Sequence, residues 1–458
     1  MEYLTWILFI AFSTVLQAQE LITYDAPGGS KYSAHNDDFT VRVRNLGGEW
    51  LNLFEWKVQV NLDNVQDASM VSFDFSGKVE ISVRKNNGTI NDVKIRPLSF
   101  HIFPEINDNL ITFSLDQPRN ISHEVNGDKL HNLYVFANSI LKEKADSNDP
   151  NVVYFSSGIH QPKDLPGDVF HIPLGKTEYI DGGAVLKAKL LVDHKRDVKI
   201  IGHAIIFQSE RGVEIRHSQN VTINGSIFIN PSHYTFYCGQ SNGIIIRNIK
   251  SFSSKGWSDG IDLMSCSDVL INNVFMRNSD ACISIYGHCW DFYGSARNYQ
   301  IKNSTLWADI APQTNIRLHG YAEAGGDTIE NITFSNIDIL KHDEDDLNYQ
   351  GCIAIICSDN NLVRNIRVED FQEGELFNFM MVYNEKYSGA SGRGIENVLL
   401  KDIQYNGNSA NPSVIQGHDK DCMVKDICIE VLKINGENIV NSSDRDIRIS
   451  EFTDVLKF

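Results

Sequence analysis

Several things that the sequence lacks narrow the class of protein. Outside one apolar run at residues 4–16, no stretch of the 458-residue chain approaches the ~20 apolar residues of a membrane-spanning helix. No cysteine precedes residue 230, and none of the eight forms a CxxC pair typical of a metal site. The net charge of −18 argues mildly against nucleic acid and against a strongly polyanionic substrate. We therefore expect no membrane span, no nucleic-acid partner, no metal and no cofactor.

The apolar run at the start of the chain ends in Leu16-Gln17-Ala18-Gln19, which suits cleavage after Ala18. The run lacks a preceding Lys or Arg, but it is too short for a membrane anchor. We expect residues 1–18 to be a signal peptide and the mature protein to be secreted or periplasmic. Because export permits disulfides, Cys422 and Cys428 are the best candidate bridge, and the other cysteines are expected to be small buried residues.

Residues 19–145 contain several short segments in which apolar and polar residues alternate, separated by turn residues such as those at 86–88. Alternation with a period of two predicts strands with one buried face, and several such strands predict a β-sandwich. We expect this domain to pack against the rest of the chain or to contact carbohydrate. The predicted strands are 39–44, 78–84, 93–96, 110–115 and 133–137.

From residue 150 to residue 458 the chain repeats an Asn or Asp followed by a short aliphatic segment, at steps of 23 to 34 residues. Long segments with helical periodicity are lacking there. Short strands with Asn and Gly at their turns, repeated at this interval, predict a right-handed parallel β-helix in which each coil stacks on the next. The recurrent Asn residues are expected to adopt left-handed turns and to bond to each other or to nearby backbone.

A second stacked strand lies between these repeats, and two of its rungs follow directly on acidic residues, in Trp257-Ser258-Asp259-Gly260-Ile261-Asp262 and in Asp280-Ala281-Cys282-Ile283. Neighbouring strands lie about 4.8 Å apart, so the carboxylates would come together and could divide acid and base work. Asp262 is expected to point outward, with Ser284 and Arg317 at the same position on the following rungs. A single surface Asp is usually a turn residue or solvated, but two acidic motifs on adjacent coils are not explained so simply.

These two motifs resemble the paired signature of the polygalacturonase family of glycoside hydrolases, Asn-Thr-Asp-Gly-x-Asp followed by Asp-Asp-Cys-Ile-x-Ile. The related dextranase and isopullulanase family has Thr-Asp-Gly and Asn-Asp-Asp-Ala motifs and an N-terminal β-sandwich, which residues 93–99 and 133–137 resemble. The resemblance to this clan, families 28 and 49, implies a polysaccharide- or oligosaccharide-cleaving hydrolase that inverts configuration. It implies that Asp280 is the general acid and that Asp259, with or without Asp262, positions the water.

The chain departs from the polygalacturonase pattern in three places. Ala281 replaces the second Asp of the water-activating pair, so Asp262, Asp291 or an acid of residues 343–346 would have to substitute. The Gly-His-Gly motif is not present in its usual form. The Arg-Ile-Lys motif that binds galacturonate is absent, since its coil reads Gly-Cys-Ile-Ala-Ile at 351–355. A neutral or differently charged sugar is therefore favoured over galacturonan.

Aromatic and basic residues surround the acidic motifs and are candidates for binding sugar, because aromatic faces stack on sugar rings. Loop packing or structural hydrogen bonds explain each of them about equally well. Two other functions stay open, a lyase or epimerase acting on a uronate glycan and a glycan-binding protein without catalysis. The candidate substrate-binding residues are Trp257, His288, Trp290, Arg317 and His319, with Tyr286, Tyr293 and Trp307 nearby.

Overall fold

The computed structural model of the chain contains almost nothing but β-strands. In the part that it describes, the only helices are two 3-10 turns of three residues each, Leu98–Phe100 and Ser442–Asp444. No membrane-spanning helix is found there either. The predicted all-β class is confirmed. The described residues are 19–162, 168–309, 316–319, 326–341, 351–374, 377–380, 389–406, 412–444 and 447–457.

The first eleven strands form two sheets that face each other across an apolar core. A six-stranded sheet has the order β1-β5-β11-β10-β7 with β4 beside β5, and a five-stranded sheet has the order β3-β2-β6-β9-β8, within the described residues. The turn predicted at 86–88 carries the chain from one sheet to the other. The strands are β1 (Glu20–Thr23), β2 (Phe39–Asn45), β3 (Leu51–Asn52), β4 (Trp56–Val60), β5 (Gln66–Ser76), β6 (Val79–Lys85), β7 (Val93–Arg96), β8 (Glu105–Asn107), β9 (Leu110–Leu115), β10 (Arg119–Val125) and β11 (Leu133–Ser139).

The remaining strands form two long sheets whose pairings are parallel except between β38 and β39 in the described part of the chain, and this arrangement confirms the predicted parallel β-helix. The larger sheet contains 19 of the described strands, and the smaller one contains 11. The strands of the larger sheet are β12 (Val152–Phe155), β13 (Gly158–His160), β15 (Thr177–Ile180), β16 (Ala184–Leu186), β18 (Arg196–Ile201), β19 (Ile205–Phe207), β21 (Gln219–Asn224), β22 (Ile227–Ile229), β24 (Asn242–Arg247), β25 (Lys250–Phe252), β27 (Ser267–Asn272), β28 (Phe275–Asn278), β30 (Ala296–Ala308), β32 (Thr328–Lys341), β34 (Leu362–Gly374), β36 (Gly394–Tyr405), β38 (Val424–Ile434), β39 (Glu437–Ile439) and β41 (Thr453–Lys457).

The smaller sheet supplies one strand to each coil and carries both acidic motifs, next to β26 and β29. All its pairings are parallel in the described part of the chain. Its strands are β14 (Val169–His171), β17 (Lys189–Asp193), β20 (Val213–Arg216), β23 (Phe236–Gly239), β26 (Ile261–Met264), β29 (Ile283–Tyr286), β31 (Ile316–His319), β33 (Ile353–Ile356), β35 (Phe377–Met380), β37 (Ser413–Gln416) and β40 (Ile447–Ile449).

The recurrent Asn residues form the ladder that the repeat predicts. Asn298, Asn331, Asn365 and Asn397 all have a positive φ, between 54° and 63°. The side-chain amides of the last three donate to the Asn one coil earlier, at 3.2 Å, 2.9 Å and 2.8 Å, and that of Asn298 donates to Asp268 at 2.9 Å. Asn tolerates this left-handed conformation better than most residues, so the repeated Asn fixes the bend of each coil.

The interior of the β-helix is filled by inward-facing apolar side chains, and six of the cysteines are buried, as expected. The predicted Cys422–Cys428 bridge is wrong, because both residues are free thiols. Cys428 lies in β38 between the buried Ile427 and Ile429 and therefore faces outward, whereas Cys422 packs against the core. A largely extended segment of six residues spans roughly 20 Å, far beyond the reach of a disulfide.

The six-stranded sheet of the sandwich packs against the β-helix. Trp56, Met70 and Phe136 of the sandwich share one apolar cluster with Phe252 and Phe275 of the helix. Because β28 and β30 belong to this contact surface, the sandwich lies directly beside the turns that follow these two strands. One of those turns contains Asp280.

Candidate active site

The outward-facing side chains of the smaller sheet form a ladder along the helix axis. Asp262 pairs in register with Tyr237 of the preceding strand and with Ser284 of the following strand, and Ser284 pairs with Arg317. Ile261 lies in the interior core instead. The predicted outward position of Asp262 and the order of its neighbours are therefore confirmed.

Asp259 and Asp280 lie at the starts of adjacent rungs. The backbone N–H groups of Gly260 and Ile261 donate to the carbonyl oxygens of Ala281 and Cys282, each at 2.9 Å. A Cβ atom on Gly260 would stand 2.2 Å from the Cys282 carbonyl oxygen, so only glycine permits this close approach.

All three acids are buried, with Asp259 3%, Asp262 0% and Asp280 7% exposed. We refer to Asp259, Asp262 and Asp280 as the acid cluster. Burial of several carboxyl groups near one another disfavours their simultaneous ionisation. The pKa of the Cys289 thiol is raised above its ordinary value. Burial is the largest cause, and the nearby carboxylates of Asp262 and Asp259 add to it.

A network of short polar side chains holds the two turns that carry the acids. The Asn278 amide donates to the hydroxyl oxygens of Ser251 and Ser253, each at 2.9 Å. The hydroxyls of Ser258 and Ser279, next to Asp259 and Asp280, lie 2.8 Å apart. These residues are almost fully buried, so the network restricts movement of the acid-bearing turns.

A buried ion pair lies on the sandwich side of the same turn. The Arg277 guanidinium donates to both carboxylate oxygens of Asp309, at 2.8 Å and 3.0 Å, and also to Tyr134 of the sandwich. The backbone N–H of Asn61 donates to Asp309 at 3.1 Å, and the Asp309 N–H donates to the Asn278 carbonyl at 2.9 Å. We call Arg277, Asp309, Asn61 and Tyr134 the junction cluster.

Arg277 keeps its charge despite complete burial. Burial lowers the pKa of Arg277, but the neighbouring Asp309 carboxylate outweighs it and raises that pKa above its ordinary value. The cluster thus fixes the turn before Asp280 from a side that faces away from the acid cluster.

The segment 287–293 folds back over the outer face of the smaller sheet, where the backbones of Cys289 and Phe292 pair. At its tip, Trp290 stacks on Tyr234 with ring centroids 5.3 Å apart and an interplanar angle of 16°. Tyr234 immediately precedes Thr235, whose N–H donates to the Asp259 carbonyl at 2.9 Å. The pair of Trp290 and Tyr234, the aromatic wall, therefore flanks the acid cluster on the preceding coil.

The predicted substrate-binding residues occupy different surroundings. Trp257 is 63% exposed two residues before Asp259, and Trp290 is 44% exposed in the aromatic wall. His288 is buried, follows β29 and so lies at the other end of that strand from Asp280, with its ring 4.2 Å from Tyr293. The side chains of Arg317 and His319 lie outside the described residues, although their backbone forms part of β31.

Trp307 does not belong to this site, contrary to expectation. It is fully buried between the β-helix and the sandwich, and the Arg277 guanidinium lies 4.0 Å from its ring centroid. The acids at 343–346, which might have replaced the missing carboxylate, lie outside the described residues. Within the described part of the chain, no group of three His, Cys, Asp or Glu side chains is placed to hold a metal.

Two residues near the site were missed by sequence reasoning. Tyr234 forms half of the aromatic wall, and the Arg211 guanidinium lies 5.8 Å from the Trp290 ring centroid. The only sequence signal was that Tyr234 occupies the position of Asp259 in the preceding coil. Its partner Trp290 comes from a later coil through a fold-back that no local pattern indicates.

Comparison with known proteins agrees with this geometry. The chain has a parallel β-helix fold, and the segment that carries the acid cluster matches a glycoside hydrolase family model. Residues 207–290, which contain the whole acid cluster, match the model of glycosyl hydrolases family 28. The predicted resemblance to the polygalacturonase and dextranase clan is confirmed, and no curated protein matches the chain.

Solved structures resemble the chain in fold. Dex49A from Penicillium minioluteum is 13% identical, with a TM-score of 0.64 over 95% of this chain and 96% of that chain. Endo-xylogalacturonan hydrolase from Aspergillus tubingensis is 12% identical, with a TM-score of 0.46 over 66% of this chain and 86% of that chain. The first of these likenesses covers the sandwich as well as the β-helix.

Proposed function

We propose that the chain is a secreted glycoside hydrolase that cleaves a polysaccharide by inversion, with Asp280 as the general acid. The observation that carries this proposal is the register that brings Asp259 and Asp280 to adjacent rungs inside the segment matching family 28. Secretion rests on residues 1–18, which lie outside the described part of the chain.

In this mechanism Asp280 donates its proton to the glycosidic oxygen while a carboxylate on the opposite side of the sugar takes a proton from water. Asp280 must be protonated and the base ionised at the same time. A buried group of carboxyls favours such a division, because ionisation of one raises the pKa of the others.

The base is Asp259, assisted by Asp262. The register places Ala281 beside Asp259, so the second carboxylate that the family has at this point is missing. Asp262 is fully buried on the same rung as Asp259 and is the nearest acid in sequence that can share the water. A separation of ~6.5–9.5 Å between acid and base carboxyls accompanies inversion, and ~5–5.5 Å accompanies retention.

The substrate is a neutral glycan or one charged differently from galacturonan, since the motif that binds galacturonate is absent. The similarity in fold to Dex49A, a dextranase by its family, favours a dextran-like glucan among neutral substrates. Trp257 and the aromatic wall would stack on sugar rings, and Arg317 and His319 remain candidates for contacts with hydroxyl groups.

The test is release of new reducing ends from dextran, pullulan, galacturonan, galactan and algal glycans by the wild type and by Asp280→Asn. We expect at least one glycan to be cleaved by the wild type and not by the variant. Equal turnover by the variant would remove Asp280 from the mechanism. An unsaturated product that absorbs in the ultraviolet would point to a lyase instead.

A glycan-binding protein without catalysis is the second candidate, because buried Ala281 occupies the position of a catalytic carboxylate. It predicts retention of oligosaccharides in a binding assay without any new reducing ends on the same panel.

A further inference from the structure

The sandwich has one sheet face that contacts neither of its apolar cores. Its six-stranded sheet packs against the five-stranded sheet on one side and against the β-helix on the other. The five-stranded sheet buries Val41, Ile81 and Ile111 in the sandwich core, so alternate residues of β2, β6 and β9 point away from both cores. This outer face lies on the opposite side of the sandwich from the β-helix.

A cavity of about 730 Å³ opens at an edge of this outer face, where residues 100–103 and Arg119 of β10 also line it. Its floor contains Arg44, Glu80 and Ser114, which pair in register across β2, β6 and β9. Trp50 and Phe103 also line the cavity, and Phe103 is 82% exposed. The volume falls within the range of small-molecule binding sites, roughly 300–1,000 Å³. The exposed ring of Phe103 is available to stack on a ligand in the cavity.

Two guanidinium groups hold the aromatic rings of the cavity in place. Arg44 lies 4.3 Å from the Trp50 ring centroid, and Arg119 lies 4.1 Å from the Phe100 ring centroid. Arg44 also donates to Glu80 at 2.7 Å. Rings and polar groups fixed in this way lose little conformational freedom when a ligand binds.

The charges of the cavity balance. Its lining contains three basic residues, Arg44, Lys78 and Arg119, and three acidic residues, Glu80, Glu105 and Asp116. A polyanion would require an excess of basic groups. Aromatic surfaces mixed with balanced donors and acceptors suit a ligand that has flat apolar faces and many hydroxyl groups but no charge.

We propose that this cavity is a second glycan-binding site, which holds a neutral stretch of the polysaccharide that the β-helix cleaves. That the ligand of this cavity is also the substrate of the β-helix rests on the function proposed above. The site lies on the sandwich and not at the acid cluster, so it holds the polymer on the protein without contacting the bond that is cleaved. Such retention raises the effective concentration of substrate for long chains.

The test is affinity electrophoresis in gels that contain dextran, pullulan, galactan or galacturonan. Asp280→Asn serves as the parent protein, so that the polymer stays intact during the run. We expect a neutral glycan to retard this protein, and we expect Phe103→Ala and Trp50→Ala, each introduced separately, to weaken its binding about tenfold. Tyr32→Ala is the matched control, because Tyr32 is 92% exposed and does not line the cavity.

Unchanged retardation of Phe103→Ala would overturn the proposal, and so would the lack of retardation by every neutral glycan. Because Phe103 is so exposed, its replacement leaves the fold intact even if Trp50→Ala destabilises the sandwich. The hydrolytic function is judged separately, by reducing-end release from the wild type. A protein that binds through Phe103 but releases no reducing ends would retain the second site and lose the proposed activity.

Discussion

Two groups of buried charge lie on either side of the turn from Arg277 to Asp280. In the junction cluster, Arg277 and Asp309 neutralise each other through two bonds of 2.8 Å and 3.0 Å. In the acid cluster, three carboxyl groups of the same kind are buried on two adjacent coils. Burial alone therefore does not distinguish a structural acid from a candidate catalytic one.

Glu214 supports this distinction because it occupies the same ladder as Asp262, two rungs earlier, and is equally buried. Lys189 lies 3.0 Å and Arg211 3.5 Å from its carboxylate, and the Tyr237 hydroxyl donates to it at 2.6 Å. A carboxylate with such partners has a structural explanation, whereas the acid cluster is the catalytic site that we propose.

Substitution of the two acids proposed to hold the water should have the largest effect on activity and tests the acid cluster most strongly. We expect Asp259→Asn to lower kcat by a factor on the order of 10²–10⁴, the usual contribution of a general base. Asp262→Asn should lower kcat less, because Asp262 assists rather than leads. Initial rates of reducing-end release check both variants, and an Asp262→Asn defect larger than that of Asp259→Asn would reverse the assignment.

The junction cluster should behave in the opposite way. Arg277→Met leaves Asp309 buried without its guanidinium and is expected to cost about 3–5 kcal/mol of folding stability. Urea denaturation measures the loss, and the double variant Arg277→Met, Asp309→Leu should recover much of it. If Arg277→Met unfolded at the same urea concentration as the wild type, the structural role of this pair would be wrong.

Glu178 is a third kind of buried acid, since neither of its carboxyl oxygens has a hydrogen-bond partner in the described part of the chain. Burial raises its pKa from 4.5 to about 8. The folded protein therefore keeps a proton that the unfolded chain releases, so stability falls as the pH rises from about 4.5 to about 8 and is constant above that range.

Glu178→Gln should remove this pH dependence and stabilise the protein at pH 8 by an amount on the order of a few kcal/mol. Thermal midpoints of both proteins between pH 5 and pH 9 provide the measurement. The difference in stability between the two proteins can change by at most ~1.4 kcal/mol for each pKa unit of the shift. Parallel pH profiles for the two proteins would show that Glu178 is already ionised in the fold.

The smallest effect is expected at the aromatic wall. Trp290→Ala removes the ring that stacks on Tyr234, and loss of one stacking surface costs about 1 kcal/mol, or roughly a fivefold rise in KM. The value of kcat should change little, because Trp290 does not contact the reacting bond. Tyr32→Ala is the control for a general effect of removing an exposed aromatic, and an unchanged KM for Trp290→Ala would exclude the wall from substrate binding.

Features set by local chemistry could be read from the sequence. The Asn ladder was predictable because each Asn adopts its left-handed turn for reasons within its own coil. The rung at Ile283–Tyr286 and the outward direction of Asp262 followed from alternation and repeat spacing.

Features that depend on packing between distant parts of the chain could not be read in this way. Trp307 is close to the acids in sequence, but its side chain lies on the face of the β-helix that packs against the sandwich. Tyr234 meets Trp290 only because the segment 287–293 folds back. The predicted Cys422–Cys428 bridge was wrong because the spacing of two cysteines in the sequence does not show which way each side chain points. Cys428 faces outward from β38, whereas Cys422 packs against the core.

The most direct test of the contrast between the two clusters is a paired measurement on Asp280→Asn. Its rate of reducing-end release and its thermal midpoint are determined on the same sample and compared with those of the wild type. We predict that the rate falls on the order of 10²–10⁴-fold, while the thermal midpoint stays the same because Asn has nearly the shape of a protonated Asp and can also donate and accept hydrogen bonds. Wild-type turnover, or loss of activity that merely follows a lowered thermal midpoint, would contradict the account.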